Sequence, residues 1–397
     1  MPLKNKYSMK ILIISRCQTH PTTAGNRRFI VNQVDLFRKM GHEVHFLYIE
    51  ELALSSKKKN NQDGIEAMKS YWGEKLYVCR VSKFEKAWFN VLEKLIRPRF
   101  NHGYMKVDDK YPVRLTKFVE ALNNKEHFDC LIVNYYNLTK LFTKTRIPLK
   151  GLTTHDYFCY KEQLVGIKNV LDGTDAHQEA IAMQRSPHIF ALNTEEAILF
   201  SKMAPLNKVY NVFSTYEYHP CNKVGNKDML FLSGSNPYNL NGLKWFVGNI
   251  LPAIIKKNND AKLKIGGAIC KVIPEYANNP NIELVGFVDD PDVFYGSADV
   301  VINPTYQGTG LKIKTFESIS YDKVTVVHPH SMTGIFKPDE APIFASTDAE
   351  AWATYLYRVW NEDGFIEKVK TQNELYLTEM QCFIESEYQR FFEDYKK

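Results

Sequence analysis

The chain has 397 residues, of which 51 are Lys or Arg and 45 are Asp or Glu, so its formal net charge is +6 at pH 7. Hydrophobic residues make up 44% and charged residues 24%, a composition that excludes collagen-like, low-complexity and wholly disordered proteins. The basic excess is spread along the chain and does not indicate a nucleic-acid binder, whose basic residues concentrate in a stripe.

The first half of the chain is predicted to form a doubly wound α/β domain. Residues 9–15 are a strand-length apolar run, residues 25–40 carry apolar side chains at helical spacing, and residues 42–49 read as a second strand. Gly41 stands where the helix should end. A strand, a helix and a second strand in this order form a βαβ unit of a parallel sheet. Further strands are predicted at residues 75–81, 128–134, 151–154 and 188–193.

The second half shows the same alternation, which predicts a second doubly wound domain. Strands are expected at residues 228–233, 261–265, 282–285, 298–303 and 323–327, and helices at 241–256 and 310–321. The polar segment 216–226 is the predicted linker. We therefore expect two tandem Rossmann-like α/β domains, residues 1–218 and 219–375, followed by a C-terminal helix at 376–397. Because open α/β sheets bind ligands at the carboxyl ends of their strands, a ligand cleft between the domains is expected.

Cysteine usage and apolar runs predict a cytoplasmic protein. The seven cysteines are scattered and form no C-x-x-C pair, which indicates neither a disulfide framework nor a zinc site. The apolar run 11–14 is too short for a secretory signal. No stretch approaches the roughly 18 apolar residues of a membrane span.

The segment 303–317 carries the strongest functional motif. It leaves an apolar strand, turns through Gly308 and Gly310 and enters a predicted helix. The glycines allow close backbone approach, the first helical amides are unpaired donors, and Lys312 adds positive charge, so the motif predicts a phosphate or diphosphate site. Glu317, further along the helix, is placed to accept hydrogen bonds from ribose hydroxyls. The alternative is a glycine-rich turn with solvated lysines. The spacing is neither that of a Walker loop nor that of a G-x-G-x-x-G loop.

This segment also carries a family resemblance. Together with SGSNPYNLNGLKWFVGNILPAI, KLKIGGA and the run from residue 281, it resembles the donor domain of GT-B glycosyltransferases of family 4 (glycosyl transferases group 1), in particular the subgroup with a G-x-G-L-K-x-K-x-x-E signature. ILIIS, the loop and helix after it, and GHEV at 41–44 resemble the acceptor domain of the same enzymes. The resemblance implies a GT-B fold whose C-terminal helix crosses back to the N-terminal domain. It also implies sugar transfer from a nucleoside-diphosphate sugar to a hydroxyl acceptor, with retention of configuration.

The resemblance also implies roles for residues of the second domain. Gly286, Phe287 and Val288 would lie beside the nucleotide base, Lys312 near the diphosphate and Glu317 on the ribose. The family has a second glutamate eight positions before Glu317, where this chain has a threonine, so the group that holds the sugar hydroxyls stays open. The residues expected at the donor site are Gly25, Ser235, Asn236, Gly286, Phe287, Val288, Gly308, Thr309, Gly310, Leu311, Lys312 and Glu317.

For the loop after the first strand of the second domain, two interpretations are open. Ser235 and Asn236 border the donor phosphates by resemblance. Alternatively, the loop is an ordinary βα turn in which Asn239 or Asn241 caps the following helix.

Two loops of the first domain follow strands and are predicted to face the cleft. Gly25 opens a helix and allows a backbone approach to the diphosphate or acceptor, with Arg27 or Arg28 as an anion contact. The alternative for each arginine is an exposed basic first turn. His20 lies in the same loop, either as an acceptor or anion contact or as a polar turn residue.

His155 and Asp156 end a short predicted strand and, with Lys312, are the predicted catalytic residues. The histidine could act as a base toward an acceptor hydroxyl or donate a hydrogen bond to the donor sugar. The alternative is a buried, satisfied imidazole next to an aspartate that caps a helix. After a later strand, Thr194 is predicted to cap a helix, with Glu195 or Glu196 complementing the helix dipole.

Two further segments have a structural and a functional interpretation. The acids at 289–292 contain a D-x-D pattern, but Pro291 stands at a predicted helix start and the acids are expected to cap it, so no metal is predicted. Residues 83–100 form a basic amphipathic pattern that could lie on anionic lipid at the inner face of the membrane. A core helix with one solvated face is the interpretation that we favour there.

The sequence therefore predicts a nucleotide-sugar-dependent glycosyltransferase of polysaccharide, lipid-linked glycan or other glycoconjugate synthesis. No permanently bound cofactor is expected, because the nucleotide sugar is a substrate. Three other functions remain open: an inverting GT-B transferase or nucleotide-sugar epimerase, a catalytically silent GT-B subunit, and a sugar- or nucleotide-binding sensor.

Overall fold

The computed structural model describes most of the chain, namely residues 8–22, 25–50, 58–96, 99, 106–159, 174–310 and 313–396. The chain divides into two compact units. Unit 1 contains residues 1–215 together with 309–311 and 383–397, and unit 2 contains residues 216–308 and 312–382.

Unit 1 is built on a parallel sheet of seven described strands, in the order β3-β2-β1-β4-β5-β6-β7. The order reverses between β1 and β4, so loops at the carboxyl ends of these two strands diverge and leave room for a ligand. The predicted strands of this half are confirmed, with ends shifted by one to two residues, and β7 was not predicted. The strands are β1 (Lys10–Ser15), β2 (Glu43–Glu50), β3 (Leu76–Arg80), β4 (Cys130–Asn134), β5 (Leu149–Thr153), β6 (His188–Ala191) and β7 (Lys208–Asn211).

The helices of unit 1 differ in how much of their apolar surface is buried. The first of them buries Phe29, Ile30, Val34 and Phe37, and Gly41 follows it with a φ of +92°, as the sequence predicts. The described α-helices of this part are α1 (Gly25–Lys39), α2 (Lys58–Trp72), α3 (Lys83–Val91), α4 (Leu115–Glu126), α5 (Ala176–Gln184) and α6 (Thr194–Met203).

Unit 2 repeats the topology with six described parallel strands in the order β10-β9-β8-β11-β12-β13. The five predicted strands are confirmed, and the short edge strand β13 was not predicted. The strands are β8 (Asp228–Leu232), β9 (Lys262–Gly266), β10 (Ile282–Gly286), β11 (Val300–Asn303), β12 (Val324–Val327) and β13 (Ile343–Ala345).

The helix predicted at 241–256 begins earlier than expected. Asn236 accepts a hydrogen bond from the Asn239 amide and Pro237 occupies the first helical position, so the N-terminus lies at Pro237. A π-helical turn at Phe246–Ile250 separates this helix from the next one. The described α-helices of unit 2 are α7 (Pro237–Trp245), α8 (Leu251–Lys257), α9 (Pro291–Tyr295), α10 (Ile313–Ser320), α11 (Ala349–Asn361) and the start of α12 (Phe365–Glu393).

The C-terminal helix α12 begins at Phe365, well before the predicted start at 376. Its residues 365–382 belong to unit 2, and its last residues from 383 onward belong to unit 1. There the Tyr388 ring lies 4.8 Å from Phe37, and the Phe391 ring lies 4.8 Å from Phe190. The expectation that this helix crosses back to the first domain is therefore confirmed.

The segment that begins at residue 83 does not form the core helix that the sequence favours. Phe84, Trp88, Val91 and Leu95 of its apolar stripe are exposed, and only Leu92 is buried. Arg97 and Phe100 lie outside the described residues. Within the described part of the chain, no helix is long and apolar enough to cross a membrane.

Candidate functional site

In unit 1, polar and aromatic residues follow the neighbouring strands β4 and β5. Asn134 ends β4 and Tyr135 comes next, while His155 and Asp156 lie two and three residues after β5. Tyr135 and His155 both have positive φ angles, +75° and +68°. Non-glycine residues in this region are strained and tend to occur at functional sites.

His155 is buried, with 8% of its surface exposed. Its ring stacks on Tyr135 at 4.4 Å and meets the edge of Phe29 at 5.6 Å. Nε2 lies 2.7 Å from Oδ1 of Asn134, whose Nδ2 donates to the Ile14 carbonyl. Because Oδ1 can only accept, Nε2 of His155 carries the proton and donates it to Asn134.

Behind this ring lies a polar network that sequence reasoning missed. Nδ2 of Asn26, on α1, donates to the Tyr135 hydroxyl at 2.7 Å and contacts the Cys17 sulfur at 3.2 Å. Burial raises the pKa of the Tyr135 phenol far above its usual value, so this hydroxyl stays protonated. The signal was present in the sequence, because the polar residues of Asn-Tyr-Tyr directly follow an apolar strand.

Asp156 lies next to the glycine turn of the strongest motif. Thr309 and Gly310 belong to unit 1, and the Thr309 hydroxyl donates to Oδ1 of Asp156 at 3.1 Å. A Cβ on Gly310 would lie 2.4 Å from the same oxygen and 3.5 Å from the His155 carbonyl oxygen. Gly310 also has a φ of +77°, so both the space and the backbone require glycine. Two segments that the sequence singled out separately are thus brought together.

The residues after Asp156 are held by a buried carboxylate from α5. Oε1 and Oε2 of Glu179 accept hydrogen bonds from the Phe158 and Cys159 amides, each at 3.0 Å. Burial raises the pKa of Glu179 to about 7, against the opposing effect of these amides, and the nearby Asp156 raises it further. Sequence reasoning missed Glu179, because nothing in the local pattern marks a helical glutamate as buried.

We expect the stability of the protein to fall as Glu179 loses its proton. The native carboxyl has a pKa of about 7 against 4.5 for its ordinary value, so the native state binds the extra proton between these pH values. The free energy of unfolding should therefore decrease from about pH 5 to pH 8, by up to about 3 kcal/mol. The glutamine of Glu179→Gln does not titrate. Denaturant titrations of this variant at about pH 5 and about pH 8 should therefore not show this decrease in the free energy of unfolding. An equal pH dependence in the variant and the wild type would contradict the assignment.

In the predicted anion-contact loop of unit 1, His20 and Arg27 already contact other groups of the protein. Nδ1 of His20 lies 3.0 Å from the Thr19 hydroxyl and its ring packs on Tyr71 at 4.4 Å, and burial lowers its pKa. Arg27 donates to the Pro21 carbonyl at 3.2 Å. Gly25 begins α1 as predicted, and Arg28 lies half-buried in its first turn. Whether these residues contact a ligand stays a prediction.

In unit 2, the loop after β8 is fixed by side chains of two helices. Asn236 caps α7, so the alternative that gave this role to Asn239 or Asn241 is wrong. Nδ2 of Asn239 donates to the Gly234 carbonyl at 3.0 Å, and its Oδ1 accepts from Nζ of Lys314 at 2.8 Å. Lys314 of α10, which sequence reasoning passed over, thus connects the glycine-motif helix with the loop that carries Ser235.

The loop after β10 lies in close contact with the glycines at the end of β9. The Gly267 amide donates to the Gly286 carbonyl at 2.6 Å, and a Cβ on Gly266 would lie 2.7 Å from Val288. Phe287 projects outward and is exposed. Among the residues predicted near the nucleotide base, an exposed aromatic ring is the group suited to stacking on a base.

The start of the glycine turn is held by the segment after β12. Nε2 of His330 lies 2.9 Å from the Gly308 carbonyl oxygen, and the Ser331 hydroxyl donates to the Thr305 carbonyl at 2.9 Å. Gly308 has a φ of +109°. Glu317 is half-buried on α10. Leu311 and Lys312 lie outside the described residues.

The acidic segments at 289–292 and 195–196 lie at helix N-termini. Asp290 caps α9, and Pro291 is its first residue, as predicted. At α6 the prediction was wrong in detail, because Asn193 and not Thr194 is the cap and accepts from the Glu196 amide at 2.9 Å. Among the described residues, no cluster of three His, Cys, Asp or Glu side chains could hold a metal ion.

Comparison with known proteins supports the resemblance seen in the second half. Residues 226–362 match the model of the family described as glycosyl transferases group 1. A Klebsiella pneumoniae protein described as an uncharacterized 44.6 kDa protein in the cps region is 23% identical over 328 residues, which cover 78% of this chain and 80% of the relative.

Solved structures match almost the whole chain at low sequence identity. S. aureus TarM, solved as a variant with fondaparinux, α-GlcNAc-glycerol and UDP, is 11% identical with a TM-score of 0.67, over 97% of this chain and 99% of TarM. Anabaena HepE in complex with UDP and glucose is 12% identical with a TM-score of 0.57, over 98% of this chain and 100% of HepE. Two doubly wound parallel sheets, joined by a helix that crosses back, are therefore confirmed as a GT-B fold.

Proposed function

We propose that this protein is a glycosyltransferase that moves a sugar from a nucleoside-diphosphate sugar to a hydroxyl acceptor. The observation that carries the proposal is the contact of Thr309 and Gly310, which lie in the glycine turn of the family-matched segment, with Asp156 after the carboxyl end of β5. A turn of this kind, followed by a helix N-terminus, suits a phosphate group. UDP in the TarM and HepE structures supports a nucleotide-sugar donor.

The proposed chemistry is electrostatic stabilisation of the leaving group. When the bond from sugar to diphosphate breaks, negative charge develops on the diphosphate. The backbone amides at the start of α10 and the ammonium of Lys312 would stabilise this charge without a metal ion. Orientation of donor and acceptor by the surrounding loops supplies the rest of the rate enhancement. Retention of the anomeric configuration is part of the proposal, and NMR of the product anomer tests it.

We further propose that Asp156 supplies the carboxylate that the family pattern has at position 309. This chain has Thr309 there, and its hydroxyl donates to Oδ1 of Asp156 at 3.1 Å. The Asp156 carboxylate therefore lies within one hydrogen bond of position 309, where the family pattern has a glutamate. An acceptor-only carboxylate at this point could bind hydroxyls of the donor sugar.

Exchanging the position of this carboxylate tests the proposal. Asp156→Asn should lower kcat/KM on the order of a hundredfold, since it removes a charged hydrogen-bond acceptor from the site. Adding Thr309→Glu to Asp156→Ala should restore part of the activity, because a carboxylate is then supplied from position 309. Thr309→Val, which loses only the hydrogen bond, should have a smaller effect. Wild-type turnover in Asp156→Asn would refute the assignment, and failure of Thr309→Glu to recover activity would count against equivalence of the two positions.

The donor can be identified by thermal-shift screening with uridine, guanosine, adenosine and cytidine nucleotide sugars. A ligand that binds the native state raises the apparent unfolding temperature. The expected result is a shift with one nucleotide class, followed by release of the nucleoside diphosphate when a glycan acceptor is added. The cps-region relative makes polysaccharide intermediates the first acceptors to test. Tight binding without transfer or hydrolysis would instead indicate a catalytically silent subunit or a sensor.

A further inference from the structure

An exposed apolar stripe runs along α3 and the π-helical turn that follows it at Leu92–Ile96. Phe84 is 82% exposed, Trp88 50%, Val91 37% and Leu95 49%. The spacing of four, three and four residues places these side chains on one helical face. Large apolar side chains that share one exposed face indicate an interaction surface, whereas scattered single ones do not.

The opposite face of the same helix is firmly attached to unit 1. Ser82 and Glu85 form a capping box at its start, and Glu85 and Leu92 are buried. Oε1 of Glu85 also accepts a hydrogen bond from the Val113 amide at 2.7 Å. Val113 itself is 75% exposed. The exposed stripe is therefore the outward side of an anchored element.

Exposed basic residues stand close in sequence to the exposed apolar ones. Lys83, Lys94, Arg99 and Arg114 are exposed. Residues 83–100 contain five Lys or Arg against two Glu, and one of those two, Glu85, is buried in the capping box. The surface therefore combines aromatic and aliphatic groups with positive charge, and we call these four exposed basic residues its basic rim.

We infer that this face, the α3 stripe with its basic rim, docks on an anionic lipid surface. Tryptophan and phenylalanine bury well at the boundary between headgroups and acyl chains, and lysine and arginine are attracted to anionic headgroups. Lys83, Lys94 and Arg99 are exposed on this segment, and their charge is opposite to that of an anionic headgroup layer. The docking does not depend on sugar transfer. α3 follows β3, and in a parallel sheet the carboxyl end of β3 lies on the same edge as those of β4 and β5.

Vesicle co-sedimentation of the full chain tests the inference. The wild type should bind phosphatidylcholine vesicles that contain phosphatidylglycerol and bind pure phosphatidylcholine at least about tenfold more weakly. Phe84→Ser with Trp88→Ser, and separately Lys83→Glu with Lys94→Glu, should each weaken binding to the anionic vesicles by more than about tenfold. The matched control is Ile198→Ser with Lys202→Glu on exposed positions of α6, which should bind like the wild type.

A fluorescence measurement keeps the inference testable without a destabilising change. Trp88 emission should shift to shorter wavelength when anionic vesicles are added, and Trp88→Phe, which preserves the apolar surface, should bind vesicles but lack the shift. Equal binding to neutral and anionic vesicles, or unaltered binding after both pairs of substitutions, would overturn the inference. So would a concentration-dependent dimer in gel filtration that the Phe84 and Trp88 substitutions dissociate, because the face would then be a protein interface.

Discussion

Lys312→Ala and Glu317→Ala are each expected to lower kcat/KM on the order of a hundredfold to a thousandfold while the fold persists. Lys312→Ala would remove the positive charge that is proposed to stabilise the leaving diphosphate. Because this charge acts in the transition state, its loss should lower kcat. Glu317 would lose the hydrogen bonds to the ribose, so its variant should show a larger rise in KM for the donor. Initial rates over a range of donor concentrations separate the two effects.

The controls for these variants are also a lysine and a glutamate of unit 2. Lys337 and Glu340 form an exposed ion pair at 3.0 Å, and alanine at either position should leave turnover unchanged, because exposed pairs contribute little to stability. Circular dichroism should show the same secondary structure in all four variants. Near-normal activity in both Lys312→Ala and Glu317→Ala would falsify the donor site that we propose.

Gly267→Ala is expected to destabilise unit 2 by about 3 kcal/mol or more. Gly267 has φ +97° and ψ −173°, a conformation that is essentially restricted to glycine and costs other residues about 1–3 kcal/mol. A Cβ there would also lie 2.3 Å from the Ser233 carbonyl oxygen, which is backbone and cannot rotate away. The loop after β8 would have to move, so donor binding should weaken as well. Calorimetric unfolding and the thermal-shift response to the donor measure both effects.

A second glycine of unit 2 provides the matched control. Gly248 is exposed in the π-helical turn between α7 and α8, and a Cβ there would have no atom within 4 Å. Gly248→Ala should therefore leave the unfolding temperature unchanged or raise it slightly, since alanine is the better helix former. If Gly267→Ala unfolded at the same temperature as Gly248→Ala, the close approach of the two loops would not exist in solution.

Local patterns were sufficient for most of the fold. Continuous apolar runs predicted the parallel strands, because strands covered on both faces of a sheet contain few polar residues. Gly41 predicted the end of α1, because glycine adopts the positive φ found there more readily than other residues do. The turn of Gly308 and Gly310 was recognised for the same reason. Helix starts were less accurate, since Asn193 and Asn236 lie beside other residues able to cap, and the backbone register selects among them.

The tertiary structure decided which of the recognised residues lie together. The hydrogen bond of Thr309 to Asp156 joins positions 153 residues apart, and the contacts of His155 with Asn134 and Phe29 also cross long stretches of chain. The burial of Glu179 and the exposure of Phe84 and Trp88 likewise depend on what the fold packs beside them. A sequence pattern states which side chains share a face and what backbone each residue allows. Only the packing of distant segments determines whether that face meets protein, ligand or solvent.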